Sequence, residues 1–78
     1  MNEIDLKTDF GSFVAKIRKE KQLSQEALAD KCDLDRTYIS MMERGKKQPT
    51  LTTLMKLSNA FEMKLSELFI NYENESKK

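Results

Sequence analysis

The chain has 78 residues, 38% of them hydrophobic and 35% charged, with two glycines, a balance that specifies one small, helix-leaning folded domain rather than a disordered tail. It has no histidine and a single cysteine, Cys32, so no internal disulfide is possible, a reducing compartment is implied, and a zinc site would have to rest almost wholly on carboxylates. The histidine-based triads and acid–base pairs of common enzymes are unavailable, and the formal charge of +1 is far from a strongly basic footprint, so any nucleic-acid role must come from where the charges sit.

Met1-Asn2-Glu3-Ile4-Asp5 is acidic and lacks the apolar core of a secretory signal, and no apolar run approaches the roughly 18–20 residues of a membrane span. The expectation is a cytoplasmic protein with no membrane partner. Met1–Asp9 and Asn71–Lys78 are mostly polar and are expected to fray, which leaves one domain over 1–78 that is ordered from about 10 to 72. Phe10, Phe13, Val14 and Ile17 fall at i, i+3, i+4 and i+7 and predict a first helix ending near Lys21. Ser24 is a good N-cap for a second, Gln25 to Cys32, with Leu28, Ala29 and Cys32 inward. Asp35 suits the cap of a third, Arg36 to about Arg44, with Ile39 and Met42 inward, and Gly45 stands where a helix ends in the left-handed conformation. Thr50 caps a fourth helix whose apolar face would be Leu51, Leu54, Met55, Leu57, Ser58 and Phe61. A fifth runs from about Leu65 to Ile70 or Tyr72. No stretch alternates with period two, so the fold class is all-α, a compact five-helix domain.

Gln25 to Arg44 therefore reads as two short helices joined by a turn of about three or four residues, a helix-turn-helix. Leu28 and Ile39 must meet across the interhelical angle, Ala29 must be small at the crossing, and Leu34 plugs the turn. Residues 36–47 contain Arg36, Arg44, Lys46 and Lys47 against one acid, Glu43, a local +3 that leaves −2 for the rest of the chain. Such a concentration of charge is what a salt-sensitive contact with phosphates requires. Arg36 stands in the first turn of its helix, where a cation opposes the helix dipole, and a base or phosphate partner explains it. Cys32 reads as a small buried hydrophobe rather than a redox switch, Met42 and Met55 as core with Met41 exposed, and the Lys16–Lys21 cluster as a solvated helix face.

The segment Gln25 to Gly45, with Ile17-Arg18 and Pro49-Thr50-Leu51 flanking it, resembles the phage-repressor and Cro-like family of DNA-binding domains. Leu34-Asp35-Arg36-Thr37-Tyr38-Ile39-Ser40, followed by Glu43-Arg44-Gly45, looks most like the controller proteins of restriction–modification systems. The similarity covers roughly Phe10 to Phe69. It departs from the family at Asp33, where the turn usually has glycine, and at Lys64, where a serine or threonine often precedes the last helix. The resemblance implies a sequence-specific transcription regulator acting on its own promoter and an adjacent restriction endonuclease gene. A phage-type repressor or antitoxin on the same domain, or, in a different class, a helical protein-interaction module, are the alternatives.

In such a fold the second helix of the motif lies in the major groove. That assigns base contacts to Arg36, Thr37, Ser40 and Met41, with Arg36 suited to a bidentate contact with guanine. Backbone contacts fall to Ser24 and Gln25 at the start of the second helix, to Tyr38, whose hydroxyl could reach a phosphate or whose ring could pack on a base edge, and to Arg44, Lys46 and Lys47. Arg18 and Glu43 match positions that form an internal salt bridge in the family. One such helix reads only a few base pairs, so the expected partner is double-stranded DNA with a two-part, roughly palindromic operator bound by a homodimer. The apolar surplus of the last two helices places the dimer interface at Leu65, Leu68, Phe69 and Tyr72. No cofactor, metal or small-molecule ligand is expected.

Overall fold

In the computed structural model, residues 3–76 are described, and five helices run in the order α1 (Glu3–Glu20), α2 (Gln25–Cys32), α3 (Arg36–Glu43), α4 (Leu51–Ala60) and α5 (Leu65–Ser76). Among the described residues there is no strand. Each helix contributes one apolar stripe to a single core: Phe10, Phe13, Val14 and Ile17 from α1, Leu28, Ala29 and Cys32 from α2, Ile39 and Met42 from α3, Leu57 from α4 with Phe61 just beyond it, and Leu68 from α5. Leu28 and Ile39 are fully buried and Leu34 half-buried against the core, the packing that the angle between α2 and α3 demands. Truncating either of the first two to alanine would cost about 2–5 kcal/mol.

The helix ends follow from local chemistry. The Ser24 hydroxyl accepts from the Ala27 amide, and the Thr50 hydroxyl accepts from the Thr53 amide. Asp35 occupies the N-cap position of α3 in extended backbone, but its side chain makes no capping hydrogen bond, contrary to expectation. Four helices close in the same way, with a left-handed residue whose amide, and that of its successor, bond back to the last turn. Gln22, Asp33 and Glu62 hold φ of 60°, 55° and 59° at three of these, and Gly45 at 75° holds the fourth. Asp33 thus does what glycine does in the resembling family. At the start of α5 the Lys64 amide donates to the Glu67 carboxylate at 2.8 Å, the half of a capping box that needs no hydroxyl at position 64.

Three further expectations fail. Helix α1 begins at Glu3 rather than near Phe10, and α5 continues to Ser76 rather than stopping by Tyr72. Only Met1, Asn2, Lys77 and Lys78 of the two supposedly frayed ends lie outside the described residues. Tertiary contacts with α1 hold the extension of α5. Tyr72 meets Phe10 and Phe13 edge-on at 5.3 and 5.4 Å between centroids, and Lys16 on α1 is ion-paired with Glu75 on α5, whose hydrogen bond raises the lysine pKa. Finally, Leu51 and Met55 are 65% and 52% exposed, not core, because α4 buries only the stripe that runs through Thr53, Leu57 and Ser58.

Candidate nucleic-acid interface

Helix α3 is held from three sides. Helix α1 crosses its C-terminal end so closely that a Cβ on Gly11 would sit 2.7 Å from the Glu43 carbonyl oxygen and nearer still to that of Met42. Glycine at this position is a requirement of helix approach, and the apolar spacing of α1 gives no hint of it. Gly45 completes the end of α3, with the Gly45 amide bonded to the Met42 carbonyl and the Lys46 amide to that of Met41. A side chain there would strike Thr8, which places the early turns of α1 directly against the loop after α3.

The third tie is electrostatic. The Arg18 guanidinium grips Glu43 with both arms, Nε to Oε2 at 2.7 Å and Nη2 to Oε1 at 3.1 Å, and gives its remaining arm to the Leu23 carbonyl at 2.8 Å. The Gln25 amide also donates to Glu43 at 3.0 Å. One carboxylate thus joins α1, the first residue of α2 and the last residue of α3. The Gln25 contribution was not foreseen, since a surface amide at a helix start looks free in sequence.

With α3 fixed, Arg36 and Thr37 in its first turn are exposed, Ser40 and Met41 on the same helix are half-buried, and Tyr38 packs its ring against the core. Arg44, Lys46, Lys47 and Gln48 follow as an exposed strip, with the Arg44 side chain turned back to the Ser40 carbonyl at 3.4 Å. Ser24 is exposed and committed to capping α2, which leaves its O–H proton available to a ligand. Among the described residues none of Arg36, Arg44, Lys46 or Lys47 is ion-paired, and the first turn of α3 contains no acid. Glu43, the single negative charge of this segment, is neutralised by Arg18. The outward face is therefore more positive than the sequence count of +3 suggests.

The basic cluster of α1 dissolves in the fold. Arg18 is buried, Lys16 pairs with Glu75 and Glu20, and only Lys19 and Lys21 stay exposed without a partner among the described residues. Cys32 lies buried beneath α4, where desolvation pushes its thiol pKa up against a smaller opposing effect of Lys56. Among the described residues no cluster of histidine, cysteine, aspartate or glutamate could hold a metal ion, and no helix is long and apolar enough to cross a membrane.

The family model for Helix-turn-helix matches residues 14–68. The control protein C.MunI of a Mycoplasma species is 49% identical over 72 residues, 91% of this chain and 97% of that protein. The chain belongs to the helix-turn-helix controller proteins. Its fold matches the restriction–modification controller protein C.AhdI of Aeromonas hydrophila with a TM-score of 0.75 at 39% identity, over 80% of this chain and 94% of that one. A tyrosine-to-phenylalanine mutant of C.Esp1396I bound to its highest affinity operator site matches with a TM-score of 0.85 at 34% identity, over 94% and 96% of the two chains. As a member of this family the chain is a DNA-binding transcription regulator.

The interface residues named from sequence separate on inspection. Leu68 is fully buried in the core and cannot meet a partner, because on α5 it shares the inward stripe with Leu65 and Tyr72. Leu65 and Tyr72 are half-buried and pack on the core, and Tyr72 is engaged with the α1 aromatics. Only Phe69 of the four is exposed. Among the described residues the large apolar side chains left exposed are Leu6, Leu51, Met55, Phe69 and Ile70. Beside them an apolar cleft of about 180 Å³ is lined by Leu6, Pro49, Leu54 and Phe69.

Proposed function

We propose that this protein is a cytoplasmic, homodimeric controller that binds a two-part, roughly palindromic operator upstream of its own gene and of an adjacent restriction endonuclease gene. Helix α3 enters the major groove, with Arg36 and Thr37 meeting base edges first and Ser40 and Met41 behind them. Ser24, Gln25, Tyr38, Arg44, Lys46 and Lys47 contact the phosphates on either side and fix the register of α3 on the duplex. The observation that carries this reading is the set of exposed cations Arg36, Arg44, Lys46 and Lys47, which have no acidic partner among the described residues while Glu43, the one acid of the segment, is occupied by Arg18.

The twofold contact is made by the patch around Leu51, Met55, Phe69 and Ile70, large apolar side chains that the core leaves exposed. A chain of 78 residues buries a modest share of its unfolded surface, so a second copy contributes stability as well as the second half-site. Operator occupancy then follows protein concentration through dimerisation.

Footprinting on the DNA upstream of the gene tests the proposal. Two protected half-sites about one helical turn apart, roughly 34–36 Å between centres, are expected. Protection of a single short site, or none above the background of unrelated DNA, would refute it.

A further inference from the structure

Glu43 is in an odd place for a carboxylate. It ends α3, where the helix dipole disfavours negative charge, and it lies beside Arg44 and bonded to Gln25, two residues of the proposed phosphate clamp. Left to itself it would repel the phosphates. The structure shows what offsets it: the Arg18 fork, with the two side chains only 11% and 6% exposed.

We propose that Arg18 determines DNA affinity without touching DNA, by cancelling the charge of Glu43 within the protein's DNA-facing surface. The proposal rests on the reading that α3 and its following loop face the duplex. Arg18 reaches Glu43 from α1, on the side away from the Arg36 turn, so its own charge is spent on the carboxylate rather than on a phosphate. The Arg18–Glu43 pair serves two ends. It pins α1 to α3, and it converts a surface of four cations and one anion into one of four cations.

Structural and electrostatic roles separate in the salt dependence of binding, because a change in stability leaves the number of neutralised phosphates unaltered. Five proteins, the wild type and four variants, are compared by fluorescence anisotropy on an operator duplex and an unrelated duplex across a salt series, at a temperature where circular dichroism shows each folded. Arg18→Met unmasks the carboxylate and weakens binding to both duplexes by roughly tenfold, with a log–log salt slope shallower by about one. Glu43→Gln keeps an oxygen acceptor for Arg18 and removes the charge, so it binds at least as tightly as the wild type with a slope equal or steeper. Arg18→Met/Glu43→Gln restores the wild-type slope and brings affinity to within about threefold, although the fork is gone.

Recovery in the double variant supports the proposal. A double variant as weak as Arg18→Met, or a folded Glu43→Gln that binds tenfold more weakly, overturns it. Lys46→Ala in the same series guards the underlying reading: a slope unchanged in Lys46→Ala would refute the DNA-facing assignment itself, whereas a shallower slope there with no recovery in the double variant refutes masking alone.

Discussion

Replacing Gly11 by alanine sets two effects of opposite sign against each other. Glycine inside a helix costs about 1 kcal/mol relative to alanine, so propensity alone would make Gly11→Ala stabilising. The new methyl carbon, however, would lie 2.7 Å from the Glu43 carbonyl oxygen and closer to that of Met42, inside the 3.0 Å limit that real Cβ atoms respect. Both obstacles are backbone, which cannot turn aside as a side-chain tip can. Helix α1 must lift from the end of α3, at the upper end of the roughly 1–3 kcal/mol that overpacking costs. The net is a loss of about 1–2 kcal/mol. In a domain of this size each kilocalorie moves Tm by about 4–8 °C, so thermal melts at equal protein concentration should fall by roughly 5–15 °C. The lifted α1 would also loosen α3, and operator affinity at a temperature where the variant is folded should fall further than affinity for unrelated DNA. A melting temperature raised by a few degrees would show that propensity wins and that the close approach of α1 and α3 is not as described.

Other consequences are simpler to read. Lys46→Ala and Lys47→Ala each weaken binding to operator and unrelated duplexes alike and lower the salt slope by about one, as anisotropy titrations would show. Ile70→Arg, which places a charge in the proposed twofold patch, gives a folded monomer by sedimentation at micromolar concentration, whereas a dimer of unchanged strength would move the interface elsewhere. The buried Cys32 thiol, with its pKa raised, reacts slowly with alkylating agents in the native protein and rapidly once unfolded. Because the folded pKa lies above the unfolded one, the linked stability is complete below the unfolded thiol pKa of about 8.5 and declines as pH rises through the folded value.

Most local signals hold, the unused side-chain cap at Asp35 aside. Helix α2 begins after the cap at Ser24 and ends before left-handed Asp33, and α3 ends at Glu43, just before left-handed Gly45, because caps and left-handed residues act within a few positions of the chain. The failures share a cause in contacts remote along the sequence. The first turns of α1 hold few apolar side chains, and they are ordered against Gly45 and the cleft near Pro49. The last turns of α5 hold through Tyr72 on Phe10 and Phe13 and through Glu75 on Lys16. Leu51, Met55 and Leu68 all look apolar in sequence, and only the rotation of α4 and α5 against the core decides that the first two face outward and the third inward. At the proposed DNA-facing surface, Arg36 and the loop lysines were legible as charges without a nearby acid. The tie from Gln25 to Glu43 and the need for glycine at position 11 were not, since each depends on a helix crossing that no periodicity encodes.

The central claim is that the first turn of α3 reads base edges, and Arg36 tests it most directly. Wild-type protein and Arg36→Ala, each shown to be folded and of the same mass in solution, are titrated at one salt concentration against the footprinted operator and a scrambled duplex of equal length. Loss of a bidentate contact worth about 1–3 kcal/mol should cut the ratio of the two affinities by roughly 5- to 150-fold, mostly through the operator. A ratio equal to that of the wild type would contradict the assignment of this helix as the reader of the sequence.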